Sequence, residues 1–230
     1  MEVRAVLTAM AMGLAAVPAP AQDVNTVTQT EAGHRYGSDE AGVQLIEFLS
    51  YTCPACGSFA MQGDPALQIA YVRSGQVAIE YRPMVHNVLD LTVSMLVECG
   101  GADRFTANHT AFMLRQDKWL AEARKASEGQ MQLWQQGGTS ANARRAMASS
   151  LELYDIVEPN GLDRVAAGRC LADQTLADRL LAQAKGSREQ FGVAGTPSFA
   201  LNGQLLKGVH QWATLQPAID DALAGAGTPD

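Results

Sequence analysis

Two cysteines separated by two residues, Cys53 and Cys56, enclose Pro54 and Ala55. They directly follow an apolar run over residues 43–50 that is typical of a buried β-strand, and the residues after them can form a helix. Thiols three positions apart at such a junction can close into a small disulfide ring and open again. The motif therefore predicts reversible thiol–disulfide chemistry.

The two thiols are expected to differ in reactivity. Cys53 would lie at the N-terminus of the helix, where free N–H groups and the helix dipole stabilise a thiolate. Cys56, one turn later, should be more buried and less reactive. Pro54 suits the first turn because its missing N–H has no partner to lose there. Since a stable thiolate leaves easily, we expect an oxidising disulfide that is attacked at Cys53.

Glu47 interrupts the apolar run six residues before Cys53. A buried carboxylate is costly unless water or a partner satisfies it. Glu47 either points outward at a sheet edge or lies behind the cysteine pair and passes protons to Cys56. Its position before the cysteines favours the second interpretation.

The elements around the motif follow the order β-α-β, a long helical stretch, then β-β-α. After the strand over 43–50 we expect a helix interrupted at 63–65 and resumed over 66–73, then a strand over 77–82. Helical spacing dominates from about 88 to 190. The terminal parts together form a small mixed sheet with helices, and the middle is an insertion.

The C-terminal part contains a predicted hairpin and a final helix. Residues 198–201 and 205–208 form its two arms around Asn202-Gly203, a strong hairpin turn signal. Thr214 can cap a last helix that runs to about residue 224, with Pro217 in the first turn.

The N-terminus has the features of an export signal. A weakly basic start precedes a short apolar run and a small-x-small site before residue 22, so residues 1–21 are predicted to be a signal peptide. Residues 22–42 are polar and predicted to form an irregular, loosely packed N-terminal arm. No later segment is apolar enough to span a bilayer. We therefore expect a soluble protein in an oxidising compartment outside the cytoplasm.

The composition is that of an ordinary globular protein. The chain has 230 residues, of which 47% are hydrophobic and 18% charged, with a net charge of −7. No cluster of Lys or Arg is present, which argues against nucleic-acid binding and against attraction to anionic membranes.

The segment Phe48-Leu49-Ser50-Tyr51-Thr52-Cys53-Pro54-Ala55-Cys56, with Gly192-Val193-Ala194-Gly195-Thr196-Pro197-Ser198-Phe199 far downstream, resembles the DsbA-type thiol:disulfide oxidoreductases of the thioredoxin superfamily. The resemblance implies an α/β thioredoxin-like fold over 43–87 and 188–225, with a helical insertion over 88–187. It also implies a cis bond between Thr196 and Pro197 that faces the cysteines, and substrate docking at Thr196 by backbone hydrogen bonds, as an added strand.

The same resemblance implies an exported, periplasmic enzyme that introduces disulfide bonds into unfolded or reduced exported proteins. A membrane quinone-linked partner would reoxidise it. The cysteine pair itself is the redox group, so we expect no cofactor, and we expect a monomer.

Two alternatives remain. One is a disulfide isomerase or reductase. Family isomerases usually carry a dimerisation segment before the catalytic fold, whereas only about twenty residues separate the predicted signal peptide from residue 43, which favours the oxidase. The other is a non-catalytic peptide-binding or metal-carrying module with the same fold, which the intact cysteine pair disfavours.

Ala55 departs from the family pattern. The best-known oxidases often have a histidine at this position, which would donate to the thiolate and depress its pKa further. Alanine cannot do so. We therefore predict a weaker oxidant than a protein with the Pro-His motif.

Cys99 and Cys170 lie in the predicted insertion. They could be free buried thiols, a structural disulfide, or zinc ligands together with Cys53 and Cys56. Zinc is the poorest of the three because only one closely spaced pair exists, and the disulfide is favoured. The histidines, at positions 34, 86, 109 and 210, lack metal-ligand spacing, so we expect no metal site.

Overall fold

A six-stranded mixed sheet forms the centre of the protein. The computed structural model describes residues 26–137 and 140–226, so the predicted signal peptide lies outside the described residues. The strands are β1 (Val27–Gln29), β2 (His34–Tyr36), β3 (Val43–Leu49), β4 (Val77–Pro83), β5 (Ser198–Leu201) and β6 (Gln204–Leu205). Their order across the sheet is β1-β2-β4-β3-β5-β6. Only β3 and β4 pair in parallel, and the other neighbours are antiparallel.

The parallel pair results from the predicted β-α-β unit, since a helical crossover returns the chain in the same direction. Between β3 and β4 lie α1 (Pro54–Gln62), α2 (Asp64–Leu67) and a π-helical turn (Gln68–Val72). The helical segment predicted over 66–73 is present, with a change from α to π geometry at residue 68.

The long helical region predicted from 88 to 190 is present. It contains α3 (Val88–Glu98), α4 (Ala102–Leu114), α5 (Gln116–Arg124), α6 (Glu128–Gly137), α7 (Ala141–Ser150), α8 (Tyr154–Val157), a 3₁₀ turn (Glu158–Asn160), α9 (Arg164–Cys170) and α10 (Gln174–Phe191). The fold is thus thioredoxin-like with a helical insertion. Within the described ranges, no helix is both long and apolar enough to cross a membrane.

The N-terminal arm differs from the prediction. Instead of an irregular segment, residues 27–36 form the hairpin β1–β2, which extends the sheet by pairing with β4. Each strand has only three residues, too few to show an alternating pattern in the sequence. The hairpin is formed because it satisfies the open backbone edge of β4.

The hairpin is anchored by His34 on β2. Its ring stacks on Phe105 with centroids 4.1 Å apart. Burial, with the nearby positive charge of Arg179, lowers the His34 pKa to about 4, so the ring packs as a neutral group. On α10, Arg179 bonds Glu98 at 2.6 Å, and the Gln183 amide donates to the Glu31 carbonyl at 2.8 Å.

The C-terminal elements also differ in detail. The turn at Asn202 and Gly203 has φ values of 47° and 81°, which matches a hairpin turn with two left-handed residues. The second arm is shorter than predicted because β6 covers only Gln204–Leu205. The last helix, α11 (Trp212–Ala226), begins two residues before Thr214. Thr214 is therefore not its cap, and Pro217 lies beyond the first turn.

Both faces of the sheet are covered. On one face Leu45 and Leu49 of β3 join the main core with helices α1, α3 and α11. On the other face a smaller apolar cluster contains Ile46, Phe48, Met84, Val193 and Ala200. This explains why β3 is nearly continuously apolar: it is a central strand that is buried on both sides.

A disulfide joins Cys99, just after α3, to Cys170 at the end of α9. The cross-link spans 71 positions in the sequence. Because a long closed loop restricts the unfolded chain more than the folded one, the bond stabilises the insertion.

Replacing both cysteines, in Cys99→Ala/Cys170→Ala, is expected to lower the free energy of unfolding by about 2–4 kcal/mol. Urea denaturation of the two proteins measures this. Thiol exchange at Cys53 in the folded variant serves as the control and should be retained. An unchanged midpoint would contradict a stabilising role for this bond.

Candidate active site

The cysteine pair lies at the junction of β3 and α1. Cys53 is the N-cap residue of α1, and Pro54 occupies the first helical position. Both thiols are free in this structure: Cys53 is half-buried and Cys56 is buried. The expected asymmetry in accessibility between the two sulfurs is therefore present.

Contacts around Cys53 favour its thiolate. The Cys56 side chain, by donating to the Cys53 sulfur, is the main cause that lowers the Cys53 pKa from 9.0 to about 5. Partial burial opposes this shift, while Thr196 and the backbone N–H groups of Cys56 and Ala55 support it. These amides lie in the first turn of α1, where the helix dipole favours an anion.

The Cys56 thiol is affected in the opposite way. Burial is the main cause that raises its pKa far above the usual value, and the hydrogen bond to Cys53 and the nearby Glu47 carboxyl add to the increase. The Ser50 backbone N–H, 3.4 Å from the Cys56 sulfur, partly opposes them. The surroundings thus favour the anionic form of Cys53 and the protonated form of Cys56.

Glu47 is buried in the centre of the sheet. It is 1% exposed and lies on β3, between Tyr81 on β4 and Phe199 on β5. The interpretation as an outward-facing residue at a sheet edge is therefore wrong. Burial raises the pKa of Glu47 well above its usual value, and Asp64 raises it further. Burial thus favours the neutral carboxyl, which lies close enough to Cys56 to raise the pKa of that thiol and can exchange a proton with it.

Thr196 and Pro197 face the cysteines from the loop before β5. The Thr196–Pro197 bond is cis, and the Thr196 carbonyl oxygen is 3.1 Å from the Cys53 sulfur. His210, after β6, lies with its Nδ1 2.7 Å from the Pro197 carbonyl oxygen. Residues 143 positions apart in the sequence therefore meet at the reactive sulfur.

The helical insertion contributes two residues that the sequence analysis missed. Asp90 on α3 is buried; its carboxylate accepts from the Tyr51 N–H at 2.9 Å and the Ser50 hydroxyl at 2.6 Å. Gln116 on α5 donates from Nε2 to the carbonyls of Tyr51 at 2.8 Å and Cys53 at 2.9 Å. Together they fix the backbone that carries Cys53. No local pattern marks these positions, although a polar residue inside an apolar helix such as α3 is a weak signal.

Gly57 allows Gln116 to reach this position. A Cβ at residue 57 would lie 2.3 Å from Gln116 Oε1 and 2.8 Å from its amide carbon. The glycine inside α1 costs helix stability but leaves room for the side chain that holds the loop.

Ala55, Cys99 and Cys170 are the remaining candidate residues from the sequence analysis. Ala55 is exposed and lines a cleft of about 240 Å³ with His210 and Trp212, so its side chain faces the open side of the site. Cys99 and Cys170 are bonded to each other, so their thiols are not available as zinc ligands. Among the residues that the structure describes, no group of three or more His, Cys, Asp or Glu side chains has metal-binding geometry.

The low Cys53 pKa makes a direct prediction. In the reduced protein, thiolate absorbance near 240 nm should rise with a midpoint near pH 5, and no second thiol should titrate up to about pH 9. Because the folded pKa lies below the unfolded one, this ionisation adds stability to the reduced protein as pH rises from about 5 to 9. Cys53→Ala is the control and should lose the transition; a midpoint near 8–9 in the unaltered protein would contradict the prediction.

The contact between Gly57 and Gln116 makes a second prediction. Gly57→Ala should destabilise the protein by about 1–3 kcal/mol, because the new methyl group displaces the Gln116 amide from the Tyr51 carbonyl, whereas the Cys53 carbonyl keeps the N–H donors of Cys56 and Gly57. In a Gln116→Ala background the same change should stabilise by about 1 kcal/mol, the helix propensity difference. Urea denaturation of the four proteins measures the coupling. Equal effects of Gly57→Ala in both backgrounds would show that Gln116 does not cause the constraint.

Comparisons with known proteins agree with this geometry. The thioredoxin family profile matches residues 29–221. A crystal structure of a protein-disulfide isomerase from Novosphingobium aromaticivorans is 40% identical, with a TM-score of 0.78 over 82% of this chain and 96% of that one. The Wolbachia pipientis protein alpha-DsbA1 has the same fold, with 18% identity and a TM-score of 0.66 over 84% of this chain and 91% of that one.

Curated relatives are more distant. A protein of Rickettsia conorii, provisionally assigned as a protein-disulfide oxidoreductase, is 26% identical over 188 residues, which cover 81% of this chain and 59% of that protein. The match therefore spans about three fifths of the relative's length. The profile match and the 40% identical solved relative establish that the chain belongs to the thioredoxin family.

Proposed function

We propose that this protein is an exported oxidase that introduces disulfide bonds into reduced, unfolded substrate proteins. The observation that carries the proposal is the asymmetry of the pair: the Cys53 pKa is lowered to about 5, whereas that of buried Cys56 is raised. A thiolate that is stable when released makes its disulfide easy to attack and oxidising.

The exchange proceeds in two steps. A substrate thiolate attacks Cys53 Sγ of the Cys53–Cys56 disulfide, forms a mixed disulfide, and releases Cys56 with the bonding electron pair and a proton from Glu47. A second substrate thiolate then attacks the substrate sulfur and releases Cys53 as a thiolate. The products are a substrate disulfide and the reduced protein.

Thr196 and Pro197 are proposed to dock the substrate. The cis bond turns the backbone so that the Thr196 carbonyl faces Cys53. An extended peptide beside this loop can pair with Thr196 backbone groups, as an added strand, and present its sulfur to Cys53.

The proposal extends to the cellular context. We infer export to the periplasm from the apolar N-terminal pattern, reoxidation by a quinone-linked membrane partner from the family resemblance, and action as a monomer. Fractionation of cells that express the full chain tests the location.

Isomerase activity is the second candidate, because the 40% identical relative is named a protein-disulfide isomerase. In that reaction reduced Cys53 attacks incorrect substrate disulfides. An oxidase acts from its disulfide form, whereas an isomerase acts from its reduced form. Refolding assays that start from one form or the other therefore distinguish the two roles.

Refolding of reduced ribonuclease by the oxidised protein, without glutathione, tests oxidase activity. We expect recovery of ribonuclease activity with the unaltered protein and none with Cys53→Ala, since no disulfide is left to transfer. The Cys99→Ala/Cys170→Ala protein, which retains the reactive pair, is the matched control. If the oxidised protein does not refold reduced ribonuclease but the reduced protein reactivates scrambled ribonuclease, the isomerase is favoured. Full function of Cys53→Ala would support a non-catalytic binding module instead.

The exposed position of Ala55 leaves room for a larger side chain. Ala55→His should make the disulfide more oxidising, because an imidazole there can donate to the Cys53 thiolate and lower its pKa. Equilibration with glutathione buffers measures the change, and Ala55→Leu controls for size. An unchanged equilibrium constant in Ala55→His would show that residue 55 does not set the potential.

A further inference from the structure

Beneath Cys56, three buried polar atoms lack a hydrogen-bond partner among the described residues. They are Glu47 Oε2, Asp64 Oδ1 and the Tyr81 hydroxyl oxygen. The three residues are only 1%, 7% and 0% exposed. A buried polar group without a partner costs about 1–3 kcal/mol, so three of them in one region point to a function rather than to packing.

These three groups are neighbours. Glu47 and Tyr81 lie opposite one another in the β3–β4 register. Burial is the main cause that raises the pKa of both side chains, and Asp64, the first residue of α2, raises both further. Gln68 approaches the Tyr81 hydroxyl and partly opposes the shift, but its geometry falls short of a hydrogen bond.

His109 on α4 orients Asp64. Its Nε2 is 3.3 Å from Asp64 Oδ2, and its Nδ1 is 3.0 Å from the Tyr51 hydroxyl. Burial, with the surrounding carboxyl groups, raises the Tyr51 pKa well above its usual value, which favours the protonated hydroxyl as the donor to Nδ1. Nε2 then carries the ring proton and donates to Oδ2. This leaves Asp64 Oδ1 as the carboxyl oxygen that is not held by protein.

Asp64 also reaches the surface. It lines a cavity of about 200 Å³ between α2 and α4, whose wall includes Pro65 and Met113. None of the residues that line this cavity lines the cleft beside Ala55. Asp64 therefore links the buried cluster to an opening that is separate from the cleft at the reactive sulfur.

We propose that Asp64 is the point at which protons pass between the outside water and Glu47, and that His109 is the positioning residue that holds Asp64 for this transfer. The inference rests on the proposed disulfide exchange at Cys53 and adds a separate route for its proton. Glu47, Asp64 and Tyr81 provide the three polar partners that a buried water typically requires, so water bridges the two carboxyl groups.

The proton balance is as follows. When a substrate thiolate breaks the Cys53–Cys56 bond, Cys56 leaves with the electron pair and takes a proton from the Glu47 carboxyl. Asp64 takes up a proton from water in the cavity and passes it through the bridging water to Glu47, so that each group returns to its starting state. When Cys56 later attacks a mixed disulfide, one proton follows the reverse route. The titratable groups around Glu47 are Cys56 on α1, Asp64 on α2, Tyr81 on β4, Tyr51 before Cys53, and His109 on α4 beyond Asp64.

The test isolates the step in which Cys56 must lose a proton. The full-length protein is loaded with glutathione as a mixed disulfide at Cys53, and glutathione release is followed between pH 5 and 9. Asp64→Asn should slow glutathione release roughly tenfold and should shift the pH profile of the release rate. This is less than the ~10²–10⁴-fold loss of rate expected when a direct general base is removed. Asp103→Asn, the same substitution at an exposed site on α4, is the matched control and should behave as the unaltered protein.

A double-mutant cycle separates a relay from a structural effect. In a Glu47→Gln background, Asp64→Asn should cause no further slowing, because the route already lacks its inner carboxyl. Equal slowing in both backgrounds, or an unchanged rate and pH profile in Asp64→Asn, would overturn the proposal. Glutathione release from the unaltered protein shows that disulfide exchange at Cys53 itself works. Each of these two contrary results would therefore argue against the proton route through Asp64 and not against the proposed disulfide exchange.

A measurement on the unaltered protein keeps the proposal testable should Asp64→Asn fail to fold. Infrared difference spectra between the oxidised and reduced protein should show changes in the bands of two carboxyl groups, since both respond to Cys56. A change in a single carboxyl group would overturn the role of Asp64.

Discussion

The position of the Cys53 sulfur at the N-terminus of α1 is the constraint on which the rest of the site depends. At this point the sulfur meets the Cys56 side chain and the backbone N–H groups of Ala55 and Cys56 in the first helical turn, which together favour an anion. Small displacements would weaken these contacts. Much of the structure around the motif therefore serves to hold one short loop, residues 50–53, in place.

The helical insertion provides part of this support. Asp90 and Gln116 hold the loop from two helices of the insertion. Both bond to backbone atoms, so they fix the path of the chain. The insertion thus acts on the reactive sulfur through the backbone of this loop, and Gly57 is the residue of α1 that makes room for Gln116.

Behind the cysteines the protein keeps an unusual set of buried titratable groups. Glu47, in the centre of the sheet, has carboxyl and phenol neighbours and no basic side chain among the groups that shift its pKa. Its burial favours the neutral form, and the neighbouring Asp64 carboxyl strengthens that preference. A neutral carboxyl beside a buried thiol can give up or accept a proton without leaving an unpaired charge in the core.

Many local features could be predicted from the sequence. The apolar runs, the helical spacing of apolar residues and the turn signals sufficed for β3, β4, the helical region and the Asn202-Gly203 turn. The spacing of Cys53 and Cys56 predicted which thiol would be more accessible. The shorter features were missed: three-residue strands such as β1 and β2 are too short to show a period, and the start of α11 at Trp212 has no strong cap signal.

The sequence by itself determined the chemistry, because the reacting thiols, Pro54 and Ala55 are contiguous and their spacing defines the disulfide ring. The tertiary structure alone decided what surrounds that ring. Thr196, Asp90, Gln116, Asp64 and His109 reach it from separate elements, and the sheet order places Glu47 on a central strand rather than at an edge. Long-range pairing and burial set these contacts, and neither is encoded in the spacing of neighbouring residues.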